Sequence, residues 1–312
     1  MDEKSISGPP AGMVDEFSEK LHNYLARNLV PGPLTYGFEY EFLPEEEMTP
    51  ARVAEVAGLL PKLGFKLLNE GDYGAGDGLH IDFEPGGQLE YGSPPLLADD
   101  RERFTGLLEH IETTNREIEK LCGVRYLARP FIAGRREAPL CLTSPRYRNM
   151  HALFTENGGR GREMMKATAS IQLHVRLRDF REMVPLFTLL LGLSRDPDYA
   201  MSAERRAIWD RTEPSRCLLP EIPLPCGEME LLRHLVAHAL AALDLDLKLP
   251  FWQCEKAAFA DFLVHLTTIF TDVRLNLKGP TFELRTMDSL PAERFQRRWQ
   301  RFVDEVERML NR

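Results

Sequence analysis

Two glutamates standing two residues apart inside a strand pattern constrain this chain more than any other feature. Thr35 to Phe42 reads TYGFEYEF and alternates with the period of a β-strand. Period two puts Glu39 and Glu41 on one face and Phe38, Tyr40 and Phe42 on the other. Strand interiors disfavour Glu, and neighbouring carboxylates repel unless a cation or a proton compensates. Hard divalent cations such as Mg²⁺ take oxygen ligands of this kind. A solvent-facing strand would show the same pattern, so the pair needs company before it means anything.

Three further segments supply it. Asp82-Phe83-Glu84-Pro85-Gly86-Gly87-Gln88-Leu89-Glu90 places acids in extended backbone on either side of a tight turn. Gly86 and Gly87 permit positive φ or a close backbone approach. Gln88 and Glu90 share a face, and such a hairpin can aim Asp82 and Glu90 at one point; an ordinary surface hairpin is the alternative. Thr168, Ser170, Gln172 and His174 form the polar face of an alternating strand, with Ile171, Leu173 and Val175 toward the core. Glu283 and Arg285 share a face of Phe282-Glu283-Leu284-Arg285, as a metal carboxylate beside a phosphate cation or as a plain ion pair. Structural salt bridges rarely account for four such segments together.

The remaining elements read as helices and hairpins without regular βαβ alternation. Helical spacing marks Val14–Leu29, Ala51–Leu63, Asp99–Cys122, Tyr147–Phe154, Phe180–Gly192, Ala203–Arg211, Gly227–Leu243, Lys256–Phe270 and Glu293–Leu310. Val273–Leu277 and Thr281–Arg285 form a hairpin turned at Gly279-Pro280. The expected class is α+β, an antiparallel sheet with helices packed on one side. At 312 residues the chain suits one catalytic domain, with residues 1–13 as a mobile arm. Its acidic N-terminus lacks the apolar stretch of a signal peptide, and no apolar run reaches bilayer length. Five scattered cysteines without a CxxC pair imply a reducing, cytoplasmic setting. A formal net charge of −9 argues against a broad nucleic-acid footprint.

The motifs Glu39-x-Glu41, Glu84-Pro85-Gly86-Gly87-Gln88-x-Glu90, Met164-Met165-x-x-Thr168-x-x-x-Gln172 and Glu283-x-Arg285 follow one another in that order. The helix Arg205-Arg206-Ala207-Ile208-Trp209 and the run Glu213-Pro214-Ser215-Arg216 lie between the last two. In this the chain resembles the plant-type and proteobacterial glutamate–cysteine ligases and their carboxylate–amine ligase relatives, from about Gly37 to Asp288. The resemblance implies a glutamine-synthetase-like fold, in which a curved antiparallel sheet forms a funnel for metals, ATP and an amino acid. It implies that Glu41, Asp82 and Glu90 surround one Mg²⁺, and that Glu39, Glu283 and Gln172 or His174 surround a second. It gives Arg285 to the transferred phosphate, with Arg216 and Arg206 as candidates for phosphate or substrate carboxylate. Arg146 and Tyr147, in Ser144-Pro145-Arg146-Tyr147-Arg148-Asn149-Met150, match a stretch near the family's glutamate-binding region; Gln88 and Thr168 join them as substrate-side candidates. The chain departs from the pattern at Tyr91-Gly92-Ser93, which displaces a serine, and at His174, where relatives often carry Asn.

The implied activity is ATP-dependent amide formation between glutamate and an amine, cysteine first among the candidates, through an acyl-phosphate. None of the five cysteines has a context that suggests an activated thiolate, so no acyl-enzyme is expected. A guanidino kinase uses similar parts, but the EPGGQLE run speaks against it. A ligase-like binding protein without activity would not need all the candidate metal acids.

Overall fold

A computed structural model describes residues 8–69, 71–255, 258–277 and 279–310. Its centre is an open, nine-stranded antiparallel sheet, and the class is α+β as the hairpins imply. The strands are β1 (Tyr36–Pro44), β2 (Lys66–Asn69), β3 (Asp72–Gly74), β4 (His80–Phe83), β5 (Leu89–Gly92), β6 (Tyr126–Leu127), β7 (Ile171–Arg176), β8 (Val273–Asn276) and β9 (Thr281–Leu284). Their order is β2-β3-β4-β5-β1-β7-β9-β8, with β6 pairing the end of β1. Strands β2, β3 and β6 and the helix Gly161–Ala167 are not legible in the sequence pattern. The three strands are two to four residues long, too short for alternation to register.

β1 lies between β5 and β7 and shows the alternation that its sequence predicts. Its aromatic residues face a helical layer. Phe38 packs edge-on against Phe104, Phe295 and Trp299 at centroid distances of 5.6, 5.3 and 5.7 Å. Phe104 belongs to the helix Arg101–Cys122, and Phe295 and Trp299 to Ala292–Leu310. Phe282 of β9 meets Phe187 of the helix Met183–Leu193. Burying this apolar face drives the assembly, and it leaves the other face of the sheet for polar residues. Of the arm expected over residues 1–13, residues 1–7 lie outside the described ones, and Ala11–Met13 already belong to the helix Ala11–Asn28. The helix expected over Lys256–Phe270 is observed as Phe259–Leu266; Lys256 lies outside the described residues.

Candidate active site

Residues directly opposite one another on paired strands share a face, so the registers draw the polar face row by row. Asp82 on β4 faces Glu90 on β5, and Glu90 faces Glu41 on β1. In the next row His80 faces Gly92, Gly92 faces Glu39, and Glu39 faces Gln172. A Cβ at Gly92 would lie 2.8 Å from the His80 ring, so any larger residue there must push that side chain aside. The third row joins Gly37, His174, Glu283 and Arg274. Arg285 follows two residues after Glu283 and reaches back to it, its Nη1 donating to Glu283 Oε2 at 2.8 Å and also to Gln172 Oε1.

The face is electrically divided. Acids hold the β4–β5–β1 side. Burial and then Glu41 push the Glu84 carboxyl up to about 8, against the pull of Arg146. Burial and then Glu39, Glu84, Glu41 and Asp82 raise Glu90 well above the carboxylate range. Cations hold the β9–β8 side. Burial opposes ionisation of Glu283, yet Arg274, His174 and Arg285 hold it far below the usual range. Between the two sides, His174 is raised: burial acts to lower it, and the charges of Glu39 and Glu283 outweigh that. Like-charged groups crowded in a desolvated site seek a counter-charge.

The expected metal ligands sort unevenly. Glu41, Asp82 and Glu90 do share one row and one face. They are not the tightest cluster, because Glu41 turns to accept from Ser170 N at 2.7 Å and Gln172 Nε2 at 2.9 Å. Among the described residues, the ligand atoms of Glu39, His174 and Glu283 all lie within 4.8 Å of one another. His174 Nε2 is buried without a hydrogen bond and lies 3.4 Å from Glu39 Oε1. Two carboxylates and an imidazole nitrogen at this spacing form a donor set that fits a divalent cation. Gln172, the alternative to His174 in that set, bridges Glu41 to Arg285 through its amide.

Several substrate-side expectations also move. Gln88 is 3% exposed. It donates to the carbonyls of Met165 and Thr168 at 3.1 Å and accepts from Gly86 N at 2.8 Å, so it locks the Pro-Gly-Gly turn. Buried Thr168 spends its hydroxyl on Met164 O. Arg216 is 0% exposed. It binds Thr268 and the carbonyl of Leu243, tying two loops together. Arg206 is half-buried and paired with Asp272 at 2.8 Å. Arg146 and Tyr147 keep their candidacy. Arg146 stacks on Tyr147 and acts on Glu84, and the nearby Glu84 charge is the first cause holding the Tyr147 hydroxyl protonated.

Three residues of this face escaped the sequence reading. Arg274 grips Glu283 with Nε at 2.8 Å and Nη2 at 3.1 Å, and Asn276 donates to the same carboxylate. Their signal is present, since Val273-Arg274-Leu275-Asn276 alternates, but by sequence alone the segment reads as a hairpin arm. Glu84 stands on the face of Asp82 by the same period-two rule.

The fold is an open antiparallel sheet with one apolar, helix-covered face and one face divided between acids and arginines. Residues 35–194 match the family described as Glutamate-cysteine ligase family 2 (GCS2), and the chain belongs to that family. The match spans β1 to β7 and therefore Glu39, Glu41, Asp82, Glu90 and His174; β8 and β9 lie beyond it. No match was found among curated proteins. No helix among the described residues is long and apolar enough to cross a membrane, and all five cysteines are free.

Proposed function

We propose that this chain is a single-domain, cytoplasmic, ATP- and Mg²⁺-dependent carboxylate–amine ligase that joins glutamate to cysteine through a γ-glutamyl phosphate. The observation that carries the reading is the division of the polar face: acids on β4, β5 and β1, arginines on β8 and just past β9. A metal–nucleotide pair has the complementary polarity. Glu41, Asp82 and Glu90 on one row, and Glu39 and His174 on the next rows, would hold Mg²⁺, which when bound neutralises phosphate charge. Arg285 would meet the phosphoryl group in flight, since its fork of donors suits equatorial oxygens. Arg146 and Tyr147 flank the acid side and would orient the amino acid.

The γ-carboxylate attacks the terminal phosphorus of ATP and ADP leaves. The amine then attacks the acyl carbon, phosphate departs, and the amine loses one proton. The protein's share is to position, to exclude water and to spread the transferred charge. No nucleophilic side chain is needed, in keeping with Cys141 and Cys217, whose thiols burial pushes up to about 11 and about 12. The test is ADP release with ATP, Mg²⁺, glutamate and a panel of amines, with products read by mass spectrometry. Cysteine-dependent ADP and a γ-glutamyl product support the reading. Release that depends on a guanidine, or none with any acid–amine pair, overturns it.

A further inference from the structure

Glu283 cannot do everything its position suggests. A carboxylate has roughly four lone-pair sites. Here four donors occupy them: Arg274 Nε and Nη2, Arg285 Nη1 and Asn276 Nδ2. Yet Glu283 also belongs to the cluster with Glu39 and His174 that is spaced for a cation. A divalent ion needs one of those sites, so one donor must leave.

The geometry singles out Arg274. Arg285 is anchored a second time by Gln172 and sits on the same segment as Glu283. Asn276 is short and fixed to its strand. Arg274 is long and holds both oxygens at once. Its Nη1 makes only slack contacts, 3.4 Å to Thr267 O and 3.5 Å to Ile269 O. Its side chain keeps 17% exposure, against 12% for Arg285 and 0% for Glu283. Once released, its guanidinium would remain on the cationic side, next to Arg285.

We propose that Arg274 is a phosphate-binding residue of the nucleotide site, whose grip on Glu283 is exchanged for the cation when the site loads. Metal binding and phosphate binding are thereby coupled through one carboxylate. The proposal rests on the ligase reading for the identity of the phosphate, and on the contacts of Glu283 for the exchange.

Its test is a double-mutant cycle on the full chain. Mn²⁺ alone is titrated into nucleotide-free protein, with free Mn²⁺ read by electron paramagnetic resonance. A bidentate arginine grip is among the stronger polar contacts, and 1.4 kcal/mol corresponds to tenfold. Arg274→Met should therefore tighten Mn²⁺ binding about tenfold. In a Glu283→Gln background the same substitution should change Mn²⁺ affinity little, because the shared carboxylate is gone. A non-hydrolysable ATP analogue, titrated at saturating Mn²⁺, should bind Arg274→Met about tenfold more weakly. Arg274→Lys keeps the charge without the fork and should lie between wild type and Met for Mn²⁺; it carries the test if the Met variant does not fold. The exchange is overturned if neither variant tightens Mn²⁺ binding, or if the gain is equal in the Glu283→Gln background, where only through-space repulsion acts. Unchanged analogue affinity overturns the phosphate role. If the cycle behaves as stated while no amine supports ADP release, the ligase reading falls and the exchange stands.

Discussion

Gly86→Ala tests whether the Pro-Gly-Gly turn is held by the body of the protein or merely reverses a surface hairpin. A Cβ at Gly86 would lie 2.6 Å from both the Cα and the carbonyl oxygen of Lys166, and 2.8 Å from Gln88 Oε1. Carbon contacts are optimal near 3.5–4.0 Å, so the overlap is about 1 Å, and two of the three atoms are backbone. Relief means moving the turn off the Met165–Thr168 segment. That strains three bonds of Gln88, to Met165 O, Thr168 O and Gly86 N. At about 1 kcal/mol per hydrogen bond and about 1–3 kcal/mol for overpacking, the loss should be about 2–5 kcal/mol. Gly106 is the control. It lies in the helix Arg101–Cys122 with nothing within 4 Å of its built Cβ, so Gly106→Ala should gain about 0.5–1 kcal/mol of helix stability. Urea unfolding followed by circular dichroism reads both. A Gly86→Ala variant within about 0.5 kcal/mol of wild type would refute the claim that Lys166 and Gln88 pin this turn.

Other predictions concern chemistry and pH. Arg285→Lys should lower kcat by about 10²-fold, since an ammonium cannot copy the fork that serves Glu283, Gln172 and a phosphate; unchanged kcat in steady-state assays would make Arg285 a structural partner of Glu283. With ¹⁸O in the γ-carboxylate of glutamate, one label should appear in released phosphate by mass spectrometry, and unlabelled phosphate would exclude the acyl-phosphate. His265 is 5% exposed, its Nε2 lies 2.9 Å from Ala239 O, and burial followed by Arg216 lowers its pKa to about 4. An unfolded histidine titrates near 6.5, so between roughly 6.5 and 4 the unfolded chain binds the extra proton. Stability is full above that window and falls as pH drops through it, by about 3 kcal/mol at most. His265→Gln should reduce the slope of unfolding free energy against pH by up to one proton; an unaltered slope in denaturant titrations would contradict the assignment.

Local alternation alone placed Glu39 with Glu41, Gln172 with His174 and Glu283 with Arg285 on common faces, because side-chain direction in a strand depends only on period two. It also separated the apolar face, Phe38, Tyr40, Phe42, Ile171 and Leu173, which the helices cover. What it could not contain is adjacency between strands. That Glu39 stands opposite Gln172, and Glu283 between His174 and Arg274, follows from β1 pairing β7 and β9 lying between β7 and β8. Register is set by hydrogen bonds and burial among segments far apart in the chain, and no short window carries it. The same holds for residues whose type suggested chemistry and whose surroundings made them braces. Gln88 is consumed by carbonyls 77 and 80 residues away, and Arg216 by Thr268, 52 residues on. A buried polar group takes whichever partner the packed chain brings within reach, and that is a property of the assembled fold.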